Sequence, residues 1–213
     1  MAELVFDCVG ARNERYAVVP TLNFSLRISE ATGQRIDSIA LRCQIRIQPQ
    51  WRRYGETEAR RLLDLFGEPA RWAESLNPIQ VTTVSAMVPG FTGSIQLDLP
   101  VTCTYDLEVA SARYFDALES GDIPLLLLFS GTVFSTVEGR MSVQQVPWSK
   151  ETAYRLPVSV WRDLVDTHFP NSSWIRISRD TLDELQRYKS LNALPTWDST
   201  LDALLAAARE HTP

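Results

Sequence analysis

Three stretches within the first fifty residues alternate apolar and polar side chains with a period of two, and that pattern limits the fold more than anything else in the chain. Leu4, Phe6 and Cys8 alternate with Glu3 and Asp7. Leu22, Phe24, Leu26 and Ile28 alternate with Asn23, Ser25, Arg27 and Ser29. Ile39, Leu41, Cys43, Ile45 and Ile47 alternate with Arg42, Gln44, Arg46 and Gln48. Successive side chains of a strand point to opposite faces, so each stretch offers one face to a core and one to water, as antiparallel sheets require. The pattern resumes at Thr82, Val84 and Ala86, at Ile95, Leu97 and Leu99, and through Val101, Cys103, Tyr105, Leu107 and Val109, with Pro100 expected to break or bulge the last two. The apolar run 125–134 predicts a central buried strand, joined through a Glu138-Gly139 hairpin to a partner over 141–146. Turn signals fall at 31–34 and at Pro89-Gly90.

The period changes to that of a helix in several places. Ala59, Leu62, Leu63 and Phe66 form one stripe, closed by Gly67 and Pro69, and a second short helix carrying Trp72 is expected over 70–76. Another short helix is expected over 112–118. Beyond residue 157, Trp161, Leu164, Val165 and His168 share a helical face, Ser178 reads as the N-cap of a helix bearing Leu182, Leu185 and Tyr188, and Thr196 or Asp198 caps a last helix with Leu201, Leu204, Leu205 and Ala208. Trp174-Ile175-Arg176-Ile177 reads as a brief extended piece. The prediction is an α+β, mainly β chain: an antiparallel β-sandwich of seven or eight strands over residues 1–156 with a helical insert near 56–76, and a helical subdomain over 157–213 packed on it.

Composition then narrows the function. With 213 residues, 45% apolar and 22% charged, the chain has material for a sizeable core. A net charge of -5 argues against a nucleic-acid binder. The start, with Glu3 and Asp7 in place of basic residues, does not read as a secretory leader, and the apolar run 123–129 is too short to cross a bilayer. Three cysteines without CxxC spacing do not make a disulfide framework, so the cytoplasm is the expected compartment.

No catalytic motif emerges. Cys8, Cys43 and Cys103 lie on predicted inward faces and read as small buried hydrophobes rather than as a thiolate metal site. The two histidines, His168 and His211, make no ligand pair. There is no GxSxG elbow, and Gly131 within Ser130-Gly131-Thr132 marks a bend or bulge. The glycine loop 89–94 has no following lysine and leads into a strand, unlike a phosphate loop. Asp98, Asp106 and Glu108 read as solvated strand-face acids. No cofactor, metal or catalytic residue is expected.

The feature that points to binding is a cluster of arginines and aromatics: Arg42 and Arg46 on the outward side of the third strand, then Trp51, Arg52, Arg53 and Tyr54 in the loop beyond it. Arginine and large aromatics are the usual anchors of protein interfaces. The competing reading pairs Arg52 and Arg53 with Glu56 and Glu58 and lays the aromatics over the sheet edge. Phe91 and Trp148 sit at two further loops with apolar tips, expected either to make contacts or to pack under the helices.

Several stretches, VPGFTG at 88–93, LLLLFSGTVF at 125–134, VPW at 146–148, WIRISRDTLDELQRYK at 174–189 and LPTW at 194–197, resemble a family of actinobacterial proteins of unknown function. The resemblance implies a gene context near nickel–iron hydrogenase clusters, hence an accessory or maturation role with hydrogenase subunits or maturation factors as partners. It implies no catalytic residue. The expectation is a non-enzymatic accessory or binding protein with a protein partner, no nucleic acid and no membrane, a homo-oligomer being left open. The alternatives are a chaperone-like client-binding module and an enzyme with an unrecognised site.

Overall fold

The computed structural model describes residues 2–103, 109–170 and 177–210. In chain order the strands are β1 (Leu4–Asn13), β2 (Thr21–Glu30), β3 (Ser38–Ile47), β4 (Ile79–Val88), β5 (Ser94–Thr102), β6 (Asp122–Val137), β7 (Arg140–Gln145) and β8 (Glu151–Pro157). The helices are α1 (Glu56–Arg61), α2 (Leu63–Phe66), α3 (Trp72–Ser75), α4 (Val109–Ala117), α5 (Val158–His168), α6 (Arg179–Leu191) and α7 (Trp197–Glu210). One antiparallel sheet has the order β1-β2-β5. The other has the order β4-β3-β6, and the far side of the 16-residue β6 is shared by β8 along its first half and β7 along its second. This is the mainly β, antiparallel architecture with inserted helices that the alternation predicts.

The alternating apolar residues make the core. Leu26, Ile28, Ile39, Ile45 and Ile47 are fully buried, each worth about 1.5–3 kcal/mol in area removed from water. The two inner faces meet in aromatic contacts: Phe6 of β1 stacks on Phe129 of β6 at 4.4 Å between centroids, and Phe24 of β2 meets Tyr154 of β8 edge-on at 6.1 Å. Gly131 permits the β3–β6 pairing. Its φ is +142°, and a Cβ there would sit 2.1 Å from the Ala40 carbonyl oxygen. The β6–β7 hairpin turns at Glu138 and Gly139, both with positive φ, as expected from the sequence.

A bulge between Cys8 and Gly10 flips the parity of β1. Its end is therefore re-aimed, and the Asn13 amide donates to the Asp163 carbonyl at 3.2 Å, the Asp163 carboxylate at 3.1 Å and the Thr167 hydroxyl at 3.0 Å on α5. Helix α5 buries Val158, Trp161 and Leu164, and the Trp161 indole donates to Asp116 at 3.1 Å.

Four local expectations need correction. Pro100 neither breaks nor bulges its strand: β5 runs through it in unbroken register with β2, opposite Asn23. An edge strand tolerates proline because its open side needs no N–H for pairing. Val109 is the first residue of α4 and not a strand residue; Tyr105 and Leu107 lie outside the described residues. The helical stripe from Ala59 to Phe66 is split at Leu62, whose φ of -97° and ψ of 2° depart from helical values while its side chain is sealed in the core. β8 is a full strand where no strand was expected, although Thr152, Tyr154 and Leu156 face inward against Glu151, Ala153 and Arg155.

The chain divides into two compact units, 1–170 and 171–213. The second contains α6 and α7. Both expected caps are present: the Ser178 hydroxyl accepts from the Thr181 N–H at 3.2 Å, and Thr196 and Ser199 cap each other reciprocally, at 3.1 and 3.2 Å. Thr200 is buried; Leu191, Trp197 and Leu205 are exposed. Of the expected extended piece 174–177, residues 174–176 lie outside the described residues.

Candidate functional site

The segment that follows β3 is held rigidly. The Gln48 N–H donates to the Pro124 carbonyl at 2.9 Å, and Pro49 opens a single 3₁₀ turn, Pro49–Trp51. Arg52 then turns inward. Its guanidinium donates to the Glu58 carboxylate at 2.5 Å and to the Asp122 carbonyl at 2.8 Å, and both side chains are about nine-tenths buried or more, 10% and 7% exposed. Glu58 also accepts from the Glu119 N–H at 2.9 Å and the Gly55 N–H at 3.3 Å. Burial pushes the Glu58 carboxyl up, but these donors and the Arg52 charge outweigh it and hold the group below its ordinary value. This one ion pair ties the 52–58 loop to the start of β6.

Behind the loop the aromatics form a cluster. The Tyr54 hydroxyl donates to the Pro49 carbonyl at 2.7 Å and accepts from the Tyr114 hydroxyl at 2.7 Å. Tyr54 meets Trp72 and Tyr114 edge-on at 5.1 and 6.3 Å. Burial pushes the Tyr54 phenol up to about 12 and the fully buried Tyr114 phenol higher still. These phenols are scaffolding, neutral at any physiological pH.

In front of the loop lies a cleft of about 480 Å³ whose rim includes Trp51, Arg53, Glu119, Ser120, Asp122 and Arg155. Trp51 is 43% exposed. Arg53 and Arg155 make no ion pair among the described residues, and neither does the Asp122 carboxylate. Glu119 faces Arg61 at 3.3 Å.

The outer face of the larger sheet leads into this cleft. Arg42 lies opposite Ser130, and Arg46 opposite Leu126, which is itself opposite Ala153 of β8. One step on, Pro124 lies opposite Arg155. Arg42, Arg46 and Arg155 therefore share one face. Arg46 donates to Gln44 at 2.9 Å, and Arg42 has no ion-pair partner among the described residues. Arg155 is the member sequence reasoning missed; the alternation of Thr152, Tyr154 and Leu156 with Glu151, Ala153 and Arg155 was the signal available.

The remaining candidates scatter. Phe91 is 9% exposed, drawn in by a bridge in which Ile36 and Phe91 exchange backbone hydrogen bonds at 2.9 and 3.0 Å. Trp148 is 90% exposed, at the corner of a turn closed by the Lys150 N–H on the Pro147 carbonyl at 3.0 Å. That turn links β7 to β8, each of which pairs with β6.

Cys43 is sealed in the core and Cys8 and Cys103 are half-buried, so the expected inward burial is complete for one of the three. Burial pushes the Cys8 thiol up to about 11 and the Cys43 and Cys103 thiols up to about 12. Among the described residues no group of three His, Cys, Asp or Glu is placed to hold a metal ion. His168 ends α5 with Nδ1 3.0 Å from the Leu164 carbonyl. Asp98 is held low by Arg12 at 2.5 Å, with Ser25 assisting; Asp106 and Glu108 lie outside the described residues.

The chain belongs to a family of unknown function, DUF6084, whose model matches residues 1–213. No curated protein matches it. Among solved structures it is similar to a β-glucosidase from Kluyveromyces marxianus, 10% identical with a TM-score of 0.23, covering 72% of this chain and 15% of that one. It is also similar to β-glucosidase 3B from Thermotoga neapolitana in complex with α-D-glucose, 10% identical with a TM-score of 0.23, covering 72% and 17%. The chain thus spans under a fifth of either enzyme, and likeness this slight carries no argument about activity. Among the described residues, no helix is long and apolar enough to cross a membrane.

Proposed function

We propose that the protein is a non-enzymatic binding protein that docks an acidic partner protein across the outer face of its larger sheet and into the cleft beside Trp51. The observation that carries this reading is a placement: of the arginines without an ion-pair partner among the described residues, Arg42, Arg46 and Arg155 share one sheet face, and Arg155 and Arg53 both line the cleft, on a chain whose net charge is -5. Cations gathered on one face of an acidic protein steer an acidic partner and fix its register. The half-exposed Trp51 supplies an anchor and the buried Arg52–Glu58 pair a rigid base. Among the described residues the cleft rim holds no imidazole or thiol, and its most buried acid, Glu58, is held ionised by Arg52, which favours binding over proton-transfer chemistry. The gene context implied by the resemblance makes hydrogenase subunits and maturation factors, in the cytoplasm, the first partners to test.

The experiment is affinity capture from the native host with the wild-type chain and with Arg42→Glu/Arg46→Glu, both exposed or half-exposed positions outside the core. The expected result is an acidic protein retained by the wild type, released by moderate salt and lost in the variant. A partner held equally by both, at any salt, overturns the reading. Arg52 is unsuitable for this test because its loss would unpair a buried carboxylate.

A chaperone-like role, holding apolar client segments, is favoured by a separate observation: Trp148, Met141, Val143 and Met87 are 90%, 78%, 57% and 68% exposed. Suppression of aggregation of a reduced, unfolding client, abolished by Trp148→Ser, would support it.

A further inference from the structure

Resting on that reading, we infer that the cleft beside Trp51 captures the free C-terminal carboxylate of the partner's polypeptide chain. The charge balance of the cleft selects this ligand. Glu58, Glu56 and Glu119 each already face a guanidinium, of Arg52, Arg60 and Arg61 respectively. What remains is Arg53 and Arg155 against the single Asp122 carboxylate. The uncompensated charge is therefore one positive unit, which suits one carboxylate. A polyanion, whether nucleic acid or a run of acidic side chains, would bring further negative charges against Glu56, Glu119 and Asp122. A chain end brings one carboxylate followed at once by backbone N–H donors, and Asp122 is the free acceptor that such donors need. The penultimate side chains would then lie against Trp51.

The architecture fits a site of this kind. The floor is Arg52, with a side chain nine-tenths buried and a buried Nε that has no hydrogen-bond partner. Buried polar atoms without partners are rare, and this one belongs to a residue that lines the cleft. Arg53 comes from the 52–58 loop and Arg155 from β8, and both line the cleft. Two charge-assisted contacts from such groups are worth about ten- to hundredfold in affinity.

The test uses the full chain and a pooled random hexapeptide library made in two forms, with a free C-terminal carboxylate and with a C-terminal carboxamide. Peptides retained by the protein are identified by mass spectrometry. The expected result is at least about tenfold greater retention from the free-acid pool, abolished by Arg53→Ala/Arg155→Ala and changed in sequence preference by Asp122→Asn. All three positions lie on the rim, and unchanged circular dichroism of the variants keeps folding out of the result. Equal retention from both pools, no retention from either, or retention that survives Arg53→Ala/Arg155→Ala overturns the inference. Selection of internal Asp or Glu regardless of the chain end also overturns it, while leaving the docking of an acidic partner standing. Failure of that wider reading is read separately, from Arg42→Glu/Arg46→Glu.

Discussion

Removing the Glu58 carboxylate should be the most damaging single polar change in the larger unit. In Glu58→Ala the Arg52 guanidinium loses the partner it donates to at 2.5 Å, and the N–H groups of Glu119 and Gly55 lose their acceptor. Arg52 keeps only the Asp122 carbonyl, at 2.8 Å, with a side chain 10% exposed. Breaking a buried pair from one side costs about 3–5 kcal/mol, because the surviving charge stays desolvated. For a chain of this size that corresponds to a fall in melting temperature of about 10 °C. The companion variant Arg52→Met/Glu58→Leu removes both charges and fills the space. It should recover most of the loss, to within about 2 kcal/mol of the wild type, since well-packed apolar replacements of buried pairs are often neutral. Thermal denaturation of the three proteins by circular dichroism measures both numbers. A Glu58→Ala chain melting within about 2 °C of the wild type would show that water reaches the pair, and the account of the rigid 52–58 loop would fall with it.

Three further outcomes probe other parts of the fold. Gly131→Ala should cost at least about 4 kcal/mol or prevent folding, seen as loss of soluble yield, because its Cβ would meet the Ala40 carbonyl 2.1 Å away in the central β3–β6 pairing. Glu30 tests the acid limb of stability: burial pushes its carboxyl up, but hydrogen bonds from the Thr32 hydroxyl and the N–H groups of Glu3, Thr32 and Gln34 win and bring it from 4.5 down to about 2. A depressed folded value means the contribution is whole above the unfolded value and fades as pH falls from 4.5 toward 2. The urea-midpoint gap between wild type and Glu30→Gln should therefore be widest near neutrality and shrink in acid, and a gap independent of pH would contradict it. Thr196→Ala should raise amide exchange in the first turn of α7 by an amount matching about 1 kcal/mol, with β-sheet amides unchanged, because it removes the hydroxyl that caps the Ser199 N–H at 3.1 Å.

Where the chain solves its folding problem with side chains two apart, the structure is legible in the sequence; where it uses a partner many residues away, it is not. β2 and β3 announce themselves because their apolar residues recur at every second position and are buried. Pro100 misleads because local rules see a missing N–H and cannot see that β5 is an edge. β8 hides because Ala153 blurs its polar face, and its pairing with β6 is what makes it a strand. The candidate site divides the same way. Trp51, Arg52 and Arg53 stand out as a cluster, yet sequence cannot say which arginine is used up internally. The structure assigns that part to Arg52, because Glu58 lies in the first turn of α1, where the Gly55 and Glu119 N–H groups donate to the same carboxylate that Arg52 meets. Arg155 enters by the opposite route, from a segment about a hundred residues further along the chain, brought onto the face that carries Arg46 by the register of β6. A cationic face assembled this way depends on strand register more than on any one residue. Shifting β8 by one position would turn Arg155 to the core side and leave Arg53 as the one unpaired arginine among the described residues of the cleft.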